Sequence, residues 1–277
     1  MELQQISLEI SDYVAVVTMN NPPVNATTPR MQEELTWCFD SFSDRDDVRV
    51  AILTGHGKVF CGGTDLKAKA GPPPAPGAKW ASRRAWRECT YSMMECKKPV
   101  IAALNGPALG AGIGMAASCD ILIASTMAEM GLPEINVGLL GGAKRTMRLF
   151  GHSKVRRMMF TGYRVKAPEL KELCVVECVV PPEELMNTAM GIAREIASKS
   201  PIAIKLAKIA VNTLEDMSVR DGYRFEQDMT AELGRYEDSK EAMRAFVEKR
   251  PAVFKGRSGR KMTEQGGDAP LFFPTAE

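Results

Sequence analysis

The chain has very few of the residues that several common catalytic sites require. Only two histidines occur among its 277 residues, His56 and His152, and both lie beside glycine in loop-like sequence. A Ser-His-Asp triad therefore has little support. The seven cysteines include no pair at C-x-x-C spacing, so neither a zinc knuckle nor a disulfide framework is predicted. We expect no metal site.

Long apolar runs and an excess of one charge are also missing. No run approaches 18 apolar residues, so no membrane-spanning helix is predicted. The formal net charge is only +2, and basic and aromatic residues do not cluster, which argues against nucleic acid or a membrane as a partner. The segment Met1–Gln5 begins no apolar stretch. We therefore expect neither a signal nor a transit peptide, and a cytoplasmic location.

Glycine is concentrated after one apolar run. Residues 99–104 predict a short buried strand, and Gly106, Gly110, Gly112 and Gly114 follow before a helix of small residues. Glycines at this density let other backbone approach closely and leave N–H groups pointing outward, which suits an anion or a developing negative charge. The G-x-G-x-G spacing differs from the dinucleotide-binding fingerprint and disfavours a nucleotide site. A tightly packed structural turn is the alternative.

A second segment has the same organisation. Residues 50–54 predict a buried strand, the turn Cys61–Asp65 contains two glycines, and a helix is expected to follow. Two such units can each direct one backbone N–H group at a single point, and paired N–H donors are what an oxyanion requires. Glu134 lies 20 residues beyond Gly114 and is a lone carboxylate in an apolar stretch.

The remaining pattern predicts alternating strands and helices, followed by helices alone. Thr28 is a candidate N-cap with Pro29 at the first helical position. A helix is predicted from Gly141-Gly142 to about Phe150, and a last strand over 175–180. Further helices are predicted over 183–199, 201–216, 220–234 and 238–249. Repeated βαβ units followed by helices imply a mostly parallel sheet and a helical C-terminal part.

Six segments together resemble the crotonase superfamily, also called the enoyl-CoA hydratase/isomerase family. They are residues 60–67, 98–106, 108–112, 119–121, 131–135 and 245–250. Their order and spacing fit from about residue 5 to 257. The resemblance implies an α/β fold with a crotonase-like ββα spiral core over 1–200. It also implies a helical trimerisation subdomain over 201–257, with 258–277 expected to be a flexible tail.

The resemblance also implies a site. The backbone N–H groups of Thr64 and Ala111 would form an oxyanion hole for a thioester enolate, with Glu134 as the acid/base. The first of two glutamates that the family often has would fall at position 114, where this chain has glycine. The substrate is then an acyl-CoA, and coenzyme A is part of it rather than a separate cofactor. The residues expected to bind the acyl group or the coenzyme A part of the substrate are Cys61, Gly62, Asp65, Lys67, Gly110, Gly114 and Lys255.

The glycine at position 114 favours double-bond isomerisation. One base can remove a proton at C2 and return it at C4, whereas two glutamates divide the work of hydration well. The alternatives are a hydratase that uses Glu134 alone, or a decarboxylase, lyase or C–C bond hydrolase on the same scaffold. An RNA-binding relative is a more remote one. Glu134 itself has the alternative of capping a helix or pairing with Arg145.

Two further expectations concern the acyl group and the assembly. Lys144 or Arg145 facing the pocket would favour an anionic or ring-bearing acyl group. Because Gly114 has no side chain, we expect water or substrate to occupy the space opposite Glu134. The resemblance implies a homotrimer or a hexamer.

Overall fold

The structure is a computed structural model that describes residues 1–65 and 74–256. The chain forms two compact units, one from Met1 to Lys199 and another that begins at Ser200. Lys67, the first helical residues expected after the Cys61–Asp65 turn, and the segment 258–277 lie outside the described residues. No described helix combines the length and the apolar character needed to cross a membrane.

A six-stranded sheet forms the centre of the first unit. Its strands, in their spatial order, are β1 Ile6–Ser11, β2 Val14–Met19, β3 Val50–Gly55, β4 Val100–Leu104, β6 Ile121–Ser125 and β9 Val179–Val180. β1 and β2 are antiparallel, and each of the other neighbouring pairs is parallel. The mostly parallel sheet predicted from the sequence is therefore confirmed.

The sheet divides the core into two apolar layers. Every residue of β3 and β4 is buried, as expected for strands covered on both faces. Successive side chains point to opposite faces, so Ile52 packs in the layer of helix α7, Leu185–Ala197. Leu53 packs in the other layer, to which α1, Pro29–Asp44, and α2, Ala78–Glu95, contribute.

The N-terminus of α1 follows the predicted capping pattern. Thr28 has extended backbone, and its hydroxyl oxygen accepts a hydrogen bond from Met31 N at 3.1 Å. Pro29 occupies the first helical position, where its missing N–H has no helical partner to lose. The predicted start of this helix is confirmed.

One buried carboxylate joins α1 to the start of β1. Glu34 accepts hydrogen bonds from the backbone N–H groups of Gln4, Gln5 and Ile6 at 2.9, 2.9 and 3.1 Å, and from Arg30 Nε at 2.6 Å. Burial by itself raises the pKa of Glu34, but the N–H donors of Gln5 and Gln4 and the Arg30 guanidinium outweigh it and hold the pKa below its ordinary value. The folded state thus favours the ionised carboxylate.

We expect Glu34→Gln to lower the free energy of unfolding by about 2 kcal/mol at pH 7, because the charge-assisted bonds are lost. The wild-type contribution is complete above the unfolded pKa, near 4.5, and is lost as the pH falls through the lower folded pKa. The difference between the two proteins should therefore shrink below pH 4.5. Urea unfolding across this range measures it. Glu33→Gln, at an exposed neighbour, is the control, and an equal loss in both variants would contradict this role.

A second, three-stranded sheet lies at the glycine-rich segments. It contains β5 Ala108–Leu109, β7 Glu129–Gly131 and β8 Arg164–Lys166, in the order β5-β7-β8. β5 and β7 are parallel, and β8 is antiparallel to β7. Helix α3, Ala111–Ala116, follows β5 directly. This small sheet fixes the chain on either side of the candidate site.

The helix predicted from Gly141-Gly142 to Phe150 is wrong in extent. Only α4, Ala143–Thr146, is helical, and it has four residues. Tighter turns follow it, because Arg148 N and Leu149 N donate to carbonyl groups three residues earlier, at 3.0 and 3.1 Å. Helices α5, His152–Thr161, and α6, Ala167–Glu172, come next.

The last strand is also shorter than predicted. Only Val179 and Val180 pair with β6, whereas the prediction covered 175–180. Val175 N donates instead to Leu170 O at 2.9 Å, which closes the end of α6, and the first bond to β6 comes at Glu177, whose N donates to Leu122 O at 2.7 Å. The apolar side chains of Val175 and Val176 are buried in the core. Their apolar run therefore reflects burial rather than strand pairing.

The second unit consists of helices over its described residues. They are α8 Pro201–Leu214, α9 Val219–Leu233 and α10 Glu237–Val247, with ends within about two residues of those predicted. Ser200 caps α8 by accepting from Ala203 N at 3.3 Å, and its hydroxyl donates to Asp238 Oδ2 at 2.7 Å. That bond joins the start of α8 to the first turn of α10.

Candidate active site

The first glycine turn presents the N–H group of Thr64. A parallel bridge pairs Thr27 with Thr64, in which Thr27 N donates to Gly63 O at 2.8 Å and Asp65 N donates to Thr27 O at 3.3 Å. In such a bridge the polar groups of the paired residue itself point to the other side. The Thr64 N–H accordingly donates to no acceptor within residues 1–65 and 74–256.

The second glycine turn lies directly against the first. Cys61 pairs with Ala108, and Leu109 N donates to Cys61 O at 2.9 Å. A Cβ on Gly63 would lie 3.2 Å from Leu109 O and 4.0 Å from Ala111 N. Gly63 also has a φ of 107°, a left-handed conformation that favours glycine. The glycine thus permits the approach that brings Thr64 and Ala111 together.

Ala111 is the first residue of α3, so its N–H precedes the first helical hydrogen bonds. Ile113 N and Gly114 N donate to Gly110 O at 3.1 and 3.3 Å. The Ala111 N–H has no acceptor in the part of the chain that the structure describes. Two backbone donors on adjoining turns thus have no acceptor among residues 1–65 and 74–256, and paired donors of this kind are what stabilises an oxyanion.

Glu134 reaches the same place through the small sheet. Leu109 lies opposite Gly131 in the β5–β7 register, and Gly110 N donates to Gly131 O at 2.9 Å. Glu134 follows in the 3₁₀ helix Pro133–Val137. A Cβ on Gly110 would lie 2.5 Å from Glu134 Oε1, and one on Gly141 would lie 2.9 Å from Oε2. The carboxyl group thus lies between two glycines, and a side chain at either glycine would clash with it.

The ion pair considered between Glu134 and Arg145 is wrong. Arg145 Nη2 donates to Thr90 Oγ1 at 2.6 Å, and Nη1 donates to Ser118 Oγ at 3.0 Å and to Met94 Sδ at 2.9 Å. These contacts direct the guanidinium toward α2 and the end of α3. Arg145 therefore forms no ion pair with Glu134 within 4.0 Å.

Two side chains border the space beside Gly114. A Cβ on Gly114 would lie 3.1 Å from Trp86 Cζ2 and 3.9 Å from Arg145 Cδ, so a ring and an arginine stem border this space. The φ of Gly114 is not among the left-handed values. The backbone therefore tolerates a side chain here, with little room against Trp86.

The other residues predicted to bind the substrate differ in burial and in their contacts. Cys61 is fully buried, and burial raises the pKa of its thiol to about 12, so it remains a neutral thiol unsuited to nucleophilic attack. Gly62 N donates to Val24 O at 2.8 Å beside it, and Asp65 is half-buried next to the bridge. Lys255 is exposed in the second unit.

Two residues near the site were not predicted from the sequence. Gly141 encloses the Glu134 carboxyl, and the Gly141-Gly142 pair was visible but assigned only to a helix start. Trp86 gave no signal, because it lies in a helix whose neighbouring positions are mostly exposed. Within the described ranges, no three His, Cys, Asp or Glu side chains group as a metal site requires.

Comparisons with known proteins give a consistent result. A family model described as enoyl-CoA hydratase/isomerase matches residues 9–257. A short-chain-enoyl-CoA hydratase of Clostridium acetobutylicum is 38% identical over 90% of this chain and 97% of that protein. An (E)-benzylidenesuccinyl-CoA hydratase of Thauera aromatica is 36% identical over 91% and 99%. The crystal structure of a Bacillus anthracis enoyl-CoA hydratase aligns with a TM-score of 0.87 at 33% identity, covering 92% and 100%.

Proposed function

Because the chain belongs to the enoyl-CoA hydratase/isomerase family, we propose that it forms a thioester enolate from an acyl-CoA, with Glu134 as its single acid/base. The observation that carries this proposal is the position of the Glu134 carboxyl against Gly110, the residue before Ala111. The base and the N–H donors of Thr64 and Ala111, which have no acceptor among the described residues, then act on one substrate. The reaction favoured by the glycine at position 114 is double-bond isomerisation.

Glu134 and the two N–H donors are sufficient for every proton transfer in the isomerisation. The Glu134 carboxylate removes a proton from C2 of a 3-enoyl thioester, and the electron pair moves onto the thioester oxygen. The N–H groups of Thr64 and Ala111 donate hydrogen bonds to that oxygen as it becomes negative. The protonated Glu134 then returns the proton to C4 while the C2–C3 double bond forms. No second acid is consumed.

Hydration by Glu134 alone is the second candidate, and the names of the relatives favour it. Both curated relatives described above are named hydratases. In this reaction Glu134 takes a proton from water as the water oxygen attacks C3 of a 2-enoyl thioester. A thioester enolate forms here too, that of the 3-hydroxyacyl group, and the carboxyl returns the proton to C2. Both reactions use the same groups of the protein and differ in which carbon is attacked or protonated.

The two candidates are separated by a kinetic comparison. We expect the purified protein to isomerise 3-enoyl-CoA faster than it hydrates crotonyl-CoA, because no carboxylate stands at position 114 to share the work of hydration. Ultraviolet absorbance of the conjugated thioester follows both reactions. Hydration of crotonyl-CoA at about 10² per second or more, above the rate of isomerisation, would establish the hydratase instead.

The proposed function also includes the role of coenzyme A and the assembly that the resemblance implies, and the location expected from the sequence. Coenzyme A enters as part of the acyl-CoA substrate, and no separate cofactor takes part. The chain acts as a homotrimer or a hexamer in the cytoplasm.

A further inference from the structure

A cation lies among neutral groups beside the candidate site. The Arg145 guanidinium contacts Thr90, Ser118 and Met94, and its Cζ lies 5.1 Å from the centre of the Tyr91 ring. The two hydroxyl partners are fully buried. None of these partners carries a negative charge.

The described residues supply no counter-charge to this group. No aspartate or glutamate in residues 1–65 and 74–256 forms an ion pair with Arg145 within 4.0 Å. Burial lowers the pKa of Arg145, although a guanidinium stays protonated at any physiological pH. A half-buried cation whose hydrogen-bond partners are all neutral strongly favours an anion that reaches it.

The guanidinium also has N–H donors that no described residue accepts. An arginine carries five N–H donors in a planar fork. The hydrogen bonds to Thr90, Ser118 and Met94 use three of them, and Nε–H and one Nη2–H donate to no described residue. Nε is bonded to Cδ, the atom that lies 3.9 Å from the position of a Cβ on Gly114. The unused Nε–H donor therefore lies close to the space that is left open because Gly114 has no side chain.

The same helix face connects this space to the base. Gly110 and Gly114 are four residues apart, and Gly114 N donates to Gly110 O at 3.3 Å, so they are separated by one turn. One turn rises about 5.4 Å. The Glu134 carboxyl lies against the first glycine, and Trp86 and the Arg145 stem lie against the second. A short acyl chain spans that separation.

We propose that the unused donors of Arg145 bind a second carboxylate on the acyl group, so that the substrate is the CoA thioester of a dicarboxylic acid. This inference rests on the proposed function, because it places the thioester at Glu134 and the N–H pair. The substrate carboxylate then enters the space beside Gly114, where a glutamate at that position would exclude it by charge and by volume. Binding requires a shift of the Trp86 ring, which stands closest to Gly114.

The test measures binding of unreactive saturated thioesters by titration calorimetry. Succinyl-CoA is compared with butyryl-CoA, and glutaryl-CoA with valeryl-CoA, because each pair has the same number of acyl carbons. Wild-type protein is expected to bind the dicarboxylic member about 10- to 100-fold more tightly, the usual worth of a charge-assisted pair. Arg145→Met should abolish this preference and change binding of the monocarboxylic member only a few-fold.

Two further variants make the comparison specific. Lys144→Met removes an exposed positive charge from the neighbouring residue and is expected to keep the preference. Arg145→Lys keeps the charge but loses the fork, and is expected to keep less than a tenth of the preference. If Arg145→Met does not fold, the binding preference of Arg145→Lys decides whether the planar guanidinium is required.

The possible outcomes separate the two proposals. Equal binding of both members of each pair by wild-type protein would overturn the role of Arg145 and leave the acyl-CoA function standing. A preference that survives in Arg145→Lys and Arg145→Met, or that disappears in Lys144→Met, would also overturn it. Binding of none of the four thioesters would overturn the proposed function itself.

Discussion

Glu134→Gln is expected to lower turnover by about two to four orders of magnitude while leaving the fold and acyl-CoA binding intact. This is the usual range for loss of a general acid/base. An amide has the same shape as the carboxyl and cannot accept the C2 proton as a base. Initial rates on the preferred enoyl-CoA measure the effect, and a binding titration with a saturated acyl-CoA checks that the site is still formed.

The packing around Glu134 makes glutamine the informative replacement. A Cβ on Gly110 would lie 2.5 Å from Glu134 Oε1 and one on Gly141 would lie 2.9 Å from Oε2, so the carboxyl packs closely against both glycines. A shorter side chain would leave a cavity and confuse a packing defect with a chemical one. Because glutamine preserves the volume, we expect the loss to appear in kcat.

Glu129→Gln is the matched control. Glu129 lies five residues earlier in β7 and forms a partly exposed ion pair with Arg164 at 2.6 Å. Its loss should change turnover by less than a few-fold, since such pairs contribute about 1 kcal/mol or less to stability. A Glu134→Gln protein whose activity stays within a few-fold of wild type would assign Glu134 a structural role and refute the mechanism.

The main elements of the fold could be predicted from the sequence because local chemistry determines them. Val50 to Thr54 and Val100 to Leu104 are continuous apolar runs, and such runs form strands covered on both faces. Thr28 with Pro29 is likewise a local signal for a helix start. The strand predicted over 175–180 was too long, because apolar character indicates burial and does not indicate which backbone groups pair.

The surroundings of the site could be predicted only in part. Glu134 and the two glycine turns occur in recognisable segments, but their meeting depends on the β5–β7 register and on the contact of Gly63 with Leu109. The Trp86 ring and the Arg145 stem reach Gly114 from elements distant in sequence. Such contacts arise from tertiary packing, for which a single sequence carries no periodic signal.

Ala111→Pro is expected to lower turnover by at least about 10²-fold, because proline has no N–H and removes one donor from the developing oxyanion. The substitution suits the backbone at this position. Ala111 is the first residue of α3, where proline is well tolerated, and its N–H makes no hydrogen bond to the described residues. The preceding residue is glycine, which has no Cβ to clash with the proline ring.

The control for Ala111→Pro is Ala111→Ser, which keeps the N–H group and adds one oxygen atom. We expect it to retain activity within a few-fold, with a melting temperature close to that of the proline variant. The oxyanion bond strengthens as negative charge develops, so its loss should lower kcat far more than it weakens binding of a saturated acyl-CoA. If proline weakens ground-state binding and leaves kcat unchanged, the Ala111 N–H holds the substrate and does not stabilise the enolate. A crystal with bound acyl-CoA gives the independent measurement: both Thr64 N and Ala111 N should lie within about 3.5 Å of the thioester oxygen.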